Sequence, residues 1–102
     1  MSRLDQLLKL AETDPNDPLA HYAVALEYFN LERWEDALAA FARTLGIDRQ
    51  YTAAYYHKAR AEIRAGRREA ARETLAAGME CAHAKGDKKT EREMRELLET
   101  IR

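Results

Sequence analysis

One cysteine, two prolines, four glycines and a single serine stand in a chain of 102 residues, and each shortage closes a class of fold or function. Cys81 has no partner for an internal disulfide, and the N-terminal Met1-Ser2-Arg3-Leu4-Asp5 run lacks the unbroken apolar core of a secretory signal. Both features point to a reducing, cytoplasmic setting. So few glycines and prolines, in a chain that is 34% charged and 46% hydrophobic and has no β-branched runs, exclude collagen-like, linker-like and membrane-spanning chains and leave helices. Ser2 is the only serine and sits at a terminus expected to fray, and neither a Gly-x-Gly-x-x-Gly nor a Gly-x4-Gly-Lys pattern occurs. A nucleophile beside a base and a phosphate loop are therefore both missing. His21, His57 and His83 lie 36 and 26 residues apart, without the close spacing of a zinc site. Cys81 and His83, two apart on a helix, point to different sides. The chain is expected to be no enzyme and to hold no metal and no cofactor. A net charge of −1 supplies no field that would draw nucleic acid or an anionic membrane.

The charge is unevenly spread. Residues 1–51 carry 5 Lys/Arg against 9 Asp/Glu, a balance of −4, and residues 52–102 carry 12 against 9, a balance of +3. Oppositely charged halves fit self-association, or a partner with matching asymmetry.

Apolar periodicity predicts six helices. Leu4, Leu7, Leu8 and Ala11 share one helical face, and Asp14-Pro15 ends it. Asp17 caps a second helix beginning at Pro18, whose apolar set spreads over more than one stripe and makes it a middle layer. A third runs from Trp34 to Leu45, with Gly46 expected as a left-handed C-cap. A fourth covers about 52–65 before Gly66, and a fifth about 68–85 before Gly86. The last begins at Asp87 or Thr90, where Thr90-x2-Glu93 fits a capping box, and carries Met94, Leu97, Leu98 and Ile101 on one stripe.

The pairs repeat with a period of 34. That shift places Ala25 over Ala59, Ala37 over Ala71, Tyr22 over Tyr56 and Phe41 over Leu75, so small residues recur where paired helices touch and large ones where they part. His21-x2-Val24-Ala25-x2-Tyr28 followed by Ala37-x3-Phe41 resembles the tetratricopeptide repeat, whose 34-residue unit reads W-x2-L-G-x2-Y, then A-x3-F, then P. Tyr55-x2-Lys58-Ala59-x2-Glu62 with Ala71-x3-Leu75 resembles it less, because Lys58 and Glu62 stand where the family has apolar residues. Those two charges are expected at an outer edge or in looser packing. More narrowly, the Gly86-Asp87 turn before a terminal helix is similar to small bacterial two-repeat proteins of the family.

The resemblance implies an all-α, right-handed α-solenoid: a half-repeat helix over 1–17, a first unit over 18–51, a second over 52–85 and a capping helix over 86–102. It implies that Cys81 is a buried thiol and that His21, in an aromatic packing place, is a partly buried ring with one hydrogen-bonded nitrogen. It also implies a concave groove lined by Tyr22, Leu26, Phe29 and Asn30 from the first unit and by Tyr56, His57, Arg60, Ile63 and Arg64 from the second, with Tyr22 and Tyr56 side by side. The family's carboxylate clamp is absent, since Tyr22, Leu26 and His57 replace its lysine and asparagines and only Arg60 fits. A non-catalytic module binding a peptide or helix of another protein follows, the partner offering an apolar anchor and an acidic residue. A homodimer or scaffold is the alternative.

Overall fold

The structure, a computed structural model, describes residues 1–102. Six helices follow one another: α1 (Arg3–Thr13), α2 (Pro18–Asn30), α3 (Trp34–Ile47), α4 (Thr52–Arg64), α5 (Arg68–Lys85) and α6 (Lys88–Glu99). Short connections make neighbours antiparallel, and the whole measures 40 × 28 × 18 Å.

Local chemistry sets the boundaries. The Asp17 side chain accepts from the Leu19 amide at 3.0 Å, and Pro18 supplies the preset φ of a first helical residue. The α2–α3, α4–α5 and α5–α6 connections share one turn, in which the amide after a left-handed residue reaches back five places. Arg33 N donates to Tyr28 O at 2.9 Å, Arg67 N to Glu62 O at 2.8 Å and Asp87 N to Ala82 O at 2.9 Å. The left-handed residue is Gly66 or Gly86 in two of these turns and Glu32, at φ 60°, in the third.

Two boundary expectations are corrected and one open choice is decided. Gly46 does not end α3, which continues to Ile47 and stops at an extended Asp48. Thr90 is not the cap of α6; Asp87 is, and its carboxylate accepts from the Thr90 amide at 3.2 Å. The left-handed turn at Gly86 already aims the chain into a helix, so the earlier acid takes the role. Ser2 is no frayed end: its hydroxyl accepts from the Asp5 amide at 3.1 Å, and the Asp5 carboxylate accepts from the Ser2 amide at 3.4 Å, a reciprocal capping box.

The core has two centres. Val24, Ala25, Ala37, Phe41, Ala54 and Ala61 anchor the first, and Ala59, Ala71, Leu75, Ala82, Met94 and Ile101 the second. α4 serves both, through different faces. Ala25, Ala37, Ala59 and Ala71 are all 0% exposed, as the 34-residue period requires of positions where helices meet backbone to backbone. The large fillers Phe41, Leu75 and Met94 are equally inaccessible, each worth about 2–3 kcal/mol of burial.

The packing order fixes the curvature. Each helix lies against its successor, and α2 also meets α4, as α4 meets α6, whereas α1, α3 and α5 never come within 8 Å of each other between Cα atoms. One layer is thus closer set than the other, and α2, α4 and α6 form the inner, concave side of an α-solenoid.

Candidate functional site

The inner face carries an unbroken run of rings and cations. Tyr22 of α2 tilts against Tyr51, just ahead of α4, at 4.9 Å between centroids, and lies 5.9 Å from the His57 ring. His57 stacks on Phe41 at 6.3 Å and meets Tyr56 edge-on at 5.2 Å. Tyr22 and Tyr56 are therefore not side by side; His57 stands between them. Spacing along α4 explains this, since the inner face falls between positions 56 and 57 and the histidine turns inward.

Farther along α2 the rings meet arginines. Phe29 packs edge-on to Trp34 at 5.0 Å. The Arg60 guanidinium lies over Phe29 at 4.7 Å and the Arg64 guanidinium over Trp34 at 5.7 Å, a placement attractive through the ring quadrupole. Arg60 also approaches His57 Nδ1, at 3.3 Å. Neither arginine is in an ion pair, although eight ion pairs of Lys or Arg form elsewhere.

Of the residues expected at the groove, Tyr22, Leu26, Phe29, Tyr56, His57, Arg60 and Ile63 are half-buried, and Asn30 and Arg64 are exposed at the ends of α2 and α4. Leu26 and Phe29 pack on the first core centre and Ile63 on the second, so these side chains are backed by core on one side and open on the other. Tyr51 and Trp34 belong to the same surface, yet sequence spacing placed neither there. Each lies at the mouth of a helix, outside the inner-helix periodicity. An aromatic residue at a helix start, facing the arginine ladder of α4, is the signal that marks Trp34.

Protonation follows the burial. Burial first, then the Arg60 guanidinium, hold the His57 imidazole below its ordinary pKa, with Glu93 of α6 opposing. Burial, then the neighbouring Tyr51, push the Tyr22 phenol up. At neutral pH the rings are uncharged, and Arg60 and Arg64 supply the charge of this stretch.

The remaining expectations divide. His21 is 5% exposed, with Nε2 at 2.7 Å from the Pro15 carbonyl, the bonded ring foreseen. Lys58 and Glu62 are not at an outer edge: Glu62 is 5% exposed, and Lys58 Nζ donates to its Oε2 at 3.2 Å and to Thr74 Oγ1 at 3.3 Å. A charge inside a helix pair persists only when partnered, and Lys58, one turn before Glu62, supplies the partner. Cys81 is not fully buried; its Sγ lies 3.5 Å from the Arg49 carbonyl at the α3–α4 connection. No group of three or more His, Cys, Asp or Glu is placed to hold a metal ion, and no helix is long and apolar enough to cross a membrane.

Comparison with known proteins agrees with the geometry. The tetratricopeptide repeat pattern matches residues 28–85. No curated protein matches the chain. Among solved structures, the tetratricopeptide repeat domain protein of Salinibacter ruber is similar in both its solution and crystal forms. The solution form has 32% identity, a TM-score of 0.79, and coverage of 86% of this chain and 89% of that one. The crystal form has 30% identity, a TM-score of 0.77, and coverage of 83% and 94%. A Bordetella parapertussis protein has the same fold, with a TM-score of 0.87 at 20% identity, covering 99% of this chain and 88% of that one. A repeated helix pair with small residues at its contacts and a ring-lined inner face, matched over more than half the sequence, places this chain in the tetratricopeptide repeat family, a scaffold for binding other proteins.

Proposed function

We propose that the inner face binds a peptide or helical segment of another protein, and that the segment carries an apolar anchor and an acidic residue. The observation that carries this reading is the pair of arginines, Arg60 and Arg64, held over Phe29 and Trp34 without a carboxylate partner. A guanidinium lying on a ring keeps N–H groups at its edge, all of them free in Arg64 and all but the Nη1 group directed at His57 in Arg60, and such an edge matches a carboxylate in a bidentate fork. The anchor would lie against Tyr22, Leu26 and Phe29, where large rings bury area at small entropic cost. Tyr56, His57 and Ile63 form the opposite wall, and Asn30 offers an amide at the rim. The act is recognition, with no chemical step, in a cytoplasmic setting.

The charge imbalance, −4 in residues 1–51 against +3 in residues 52–102, favours one second reading, a homodimer joining unlike halves. Light scattering at about 100 μM separates the two: a concentration-independent monomer mass removes self-assembly. For the leading reading the experiment is affinity capture from the source cell's lysate with the wild type and with Tyr56→Ala/Arg60→Glu. A protein held by the first and lost by the second, with the helical circular dichroism unchanged, supports the inner face. Identical retention by both baits contradicts it.

A further inference from the structure

The two helix pairs fill one shared place in different ways. In the second, Lys58, Glu62 and Thr74 join through the hydrogen bonds described above. Thirty-four residues earlier stand Val24, Tyr28 and Ala40, and these three line an open cleft of about 440 Å3 on the side of α2 away from the inner face, between α1 and α3. That volume is in the range of sites that take a ligand. The cleft exists because α1 rests on α2 and never reaches α3, and because Ala39 and Ala40 contribute only methyl groups to its wall.

Its rim carries two charges with no partner. Glu12 comes from α1 and Arg43 from α3; both are exposed, and neither enters a hydrogen bond or an ion pair. The other lining carboxylate, Asp36, is held by Arg33 at 2.8 Å, and the His21 ring is committed to the Pro15 carbonyl. What stays unsatisfied is an apolar floor with one anion on one wall and one cation on the other.

We infer that this cleft is a second docking site, separate from the inner face, and that its occupant is a helix of another protein presenting one apolar side chain with a lysine on one flank and an acidic residue on the other. The lysine meets Glu12, the acid meets Arg43, and the apolar side chain fills the space over Val24, Tyr28 and Ala40. A helix is the form that fits, because α1 and α3 are both antiparallel to α2 and bound a straight trough into which a helix ridge packs. The second helix pair supplies the internal precedent: there the chain's own Lys58 lays an aliphatic stem and an ammonium against a carboxylate in the matching place.

The test uses the full chain and a blocked, alanine-based helical peptide of about 15 residues, carrying one leucine flanked by a lysine and a glutamate, with Lys/Lys and Glu/Glu versions as comparisons. The expected result is amide shifts at Leu8, Ala39, Ala40 and Arg43, with the Lys/Glu peptide bound about fivefold tighter than either comparison, the size of one exposed charge pair made or reversed. Ala39→Trp, which plugs the cleft from its exposed rim, removes the shifts, and Tyr56→Ala on the inner face leaves them. Glu12→Lys, a surface change that leaves the fold intact, makes the Glu/Glu peptide the tightest of the three. The proposal is overturned by equal affinity for all three peptides, by shifts confined to the inner-face residues of α2 and α4, or by no shift at about 1 mM peptide.

Discussion

The helix pair α2/α3 and the pair α4/α5 share a backbone course and part company in what they put inside it. Ala25 and Ala59, and Ala37 and Ala71, are interchangeable contacts at 0% exposure. Between them, Val24 and Tyr28 give way to Lys58 and Glu62, Phe41 to Leu75 and Thr44 to Gly78. Small residues at the helix contacts and the left-handed turns carry the repeat; the fillers are free to vary. That freedom gives the inner face an aromatic half from α2 and a cationic half from α4, and leaves a cleft beside α2 where α4 holds an ion pair.

The most severe way to break the comparison is to give the second pair the bulk of the first at position 78. A Cβ on Gly78 would lie 2.6 Å from Tyr55 Cβ and 2.6 Å from Met94 Sδ, whereas Thr44 at the matching place is fully buried and donates to Ala40 O at 3.0 Å. Gly78→Ala should cost about 3 kcal/mol or more, read as a lowered midpoint of urea unfolding; the same midpoint as wild type would mean that Tyr55 of α4 and Met94 of α6 do not close on α5 at Gly78.

Next comes the buried pair. Glu62→Ala leaves Lys58 without its carboxylate and should cost about 3 kcal/mol. Copying the first pair wholesale, Lys58→Val/Glu62→Tyr/Thr74→Ala, should restore or exceed wild-type stability by about 1–2 kcal/mol, because Glu62 Oε1 is buried without a partner and apolar replacement of a buried ion pair is commonly favourable. A triple variant less stable than Glu62→Ala would contradict the equivalence of the two places.

A smaller effect sharpens the same comparison at the turns. Glu32 holds φ 60° where the second turn has Gly66 at φ 80°, a conformation that strains any residue with a Cβ. Glu32→Gly should raise stability by about 1 kcal/mol, visible as a higher thermal midpoint, and Gly66→Ala should lower it by a similar amount.

The smallest concerns pH. Because burial and Arg60 lower the folded pKa of His57, the unfolded chain binds this proton more readily. The stability contributed by the neutral ring is present above the unfolded value, about 6.5, and is lost as pH falls below it. Unfolding free energy measured between pH 7.5 and 5 should decline less steeply in His57→Phe than in wild type, with Glu93, the facing carboxylate, kept in place.

Much of this was legible in the sequence. The alanine contacts, the helix pairs and the turns at Gly66 and Gly86 follow from local rules that burial does not overturn. The misreadings share a cause, competition between neighbours. Asp87 precedes Thr90 and takes the cap, and an exposed Gly46 is carried along by a helix that runs on to Ile47, with the Asp48 amide still bonded to the Thr44 carbonyl at 2.9 Å. Lys58 and Glu62 looked like surface charges because single positions do not reveal that one satisfies the other. The cleft beside α2 was invisible, since an unfilled volume depends on how far α1 leans from α3, which no spacing records.

On the proposed reading the inner face recognises an apolar anchor beside an acid. Selection from a random peptide library, on the wild type and on Arg60→Glu/Arg64→Glu, tests it most directly. Wild-type binders are expected to carry an aromatic or aliphatic residue with an acidic residue nearby, and the charge-reversed variant, its helical content unchanged, to lose them and select basic residues at the same place. Binders without acidic enrichment, or one set held equally by both proteins, would contradict it.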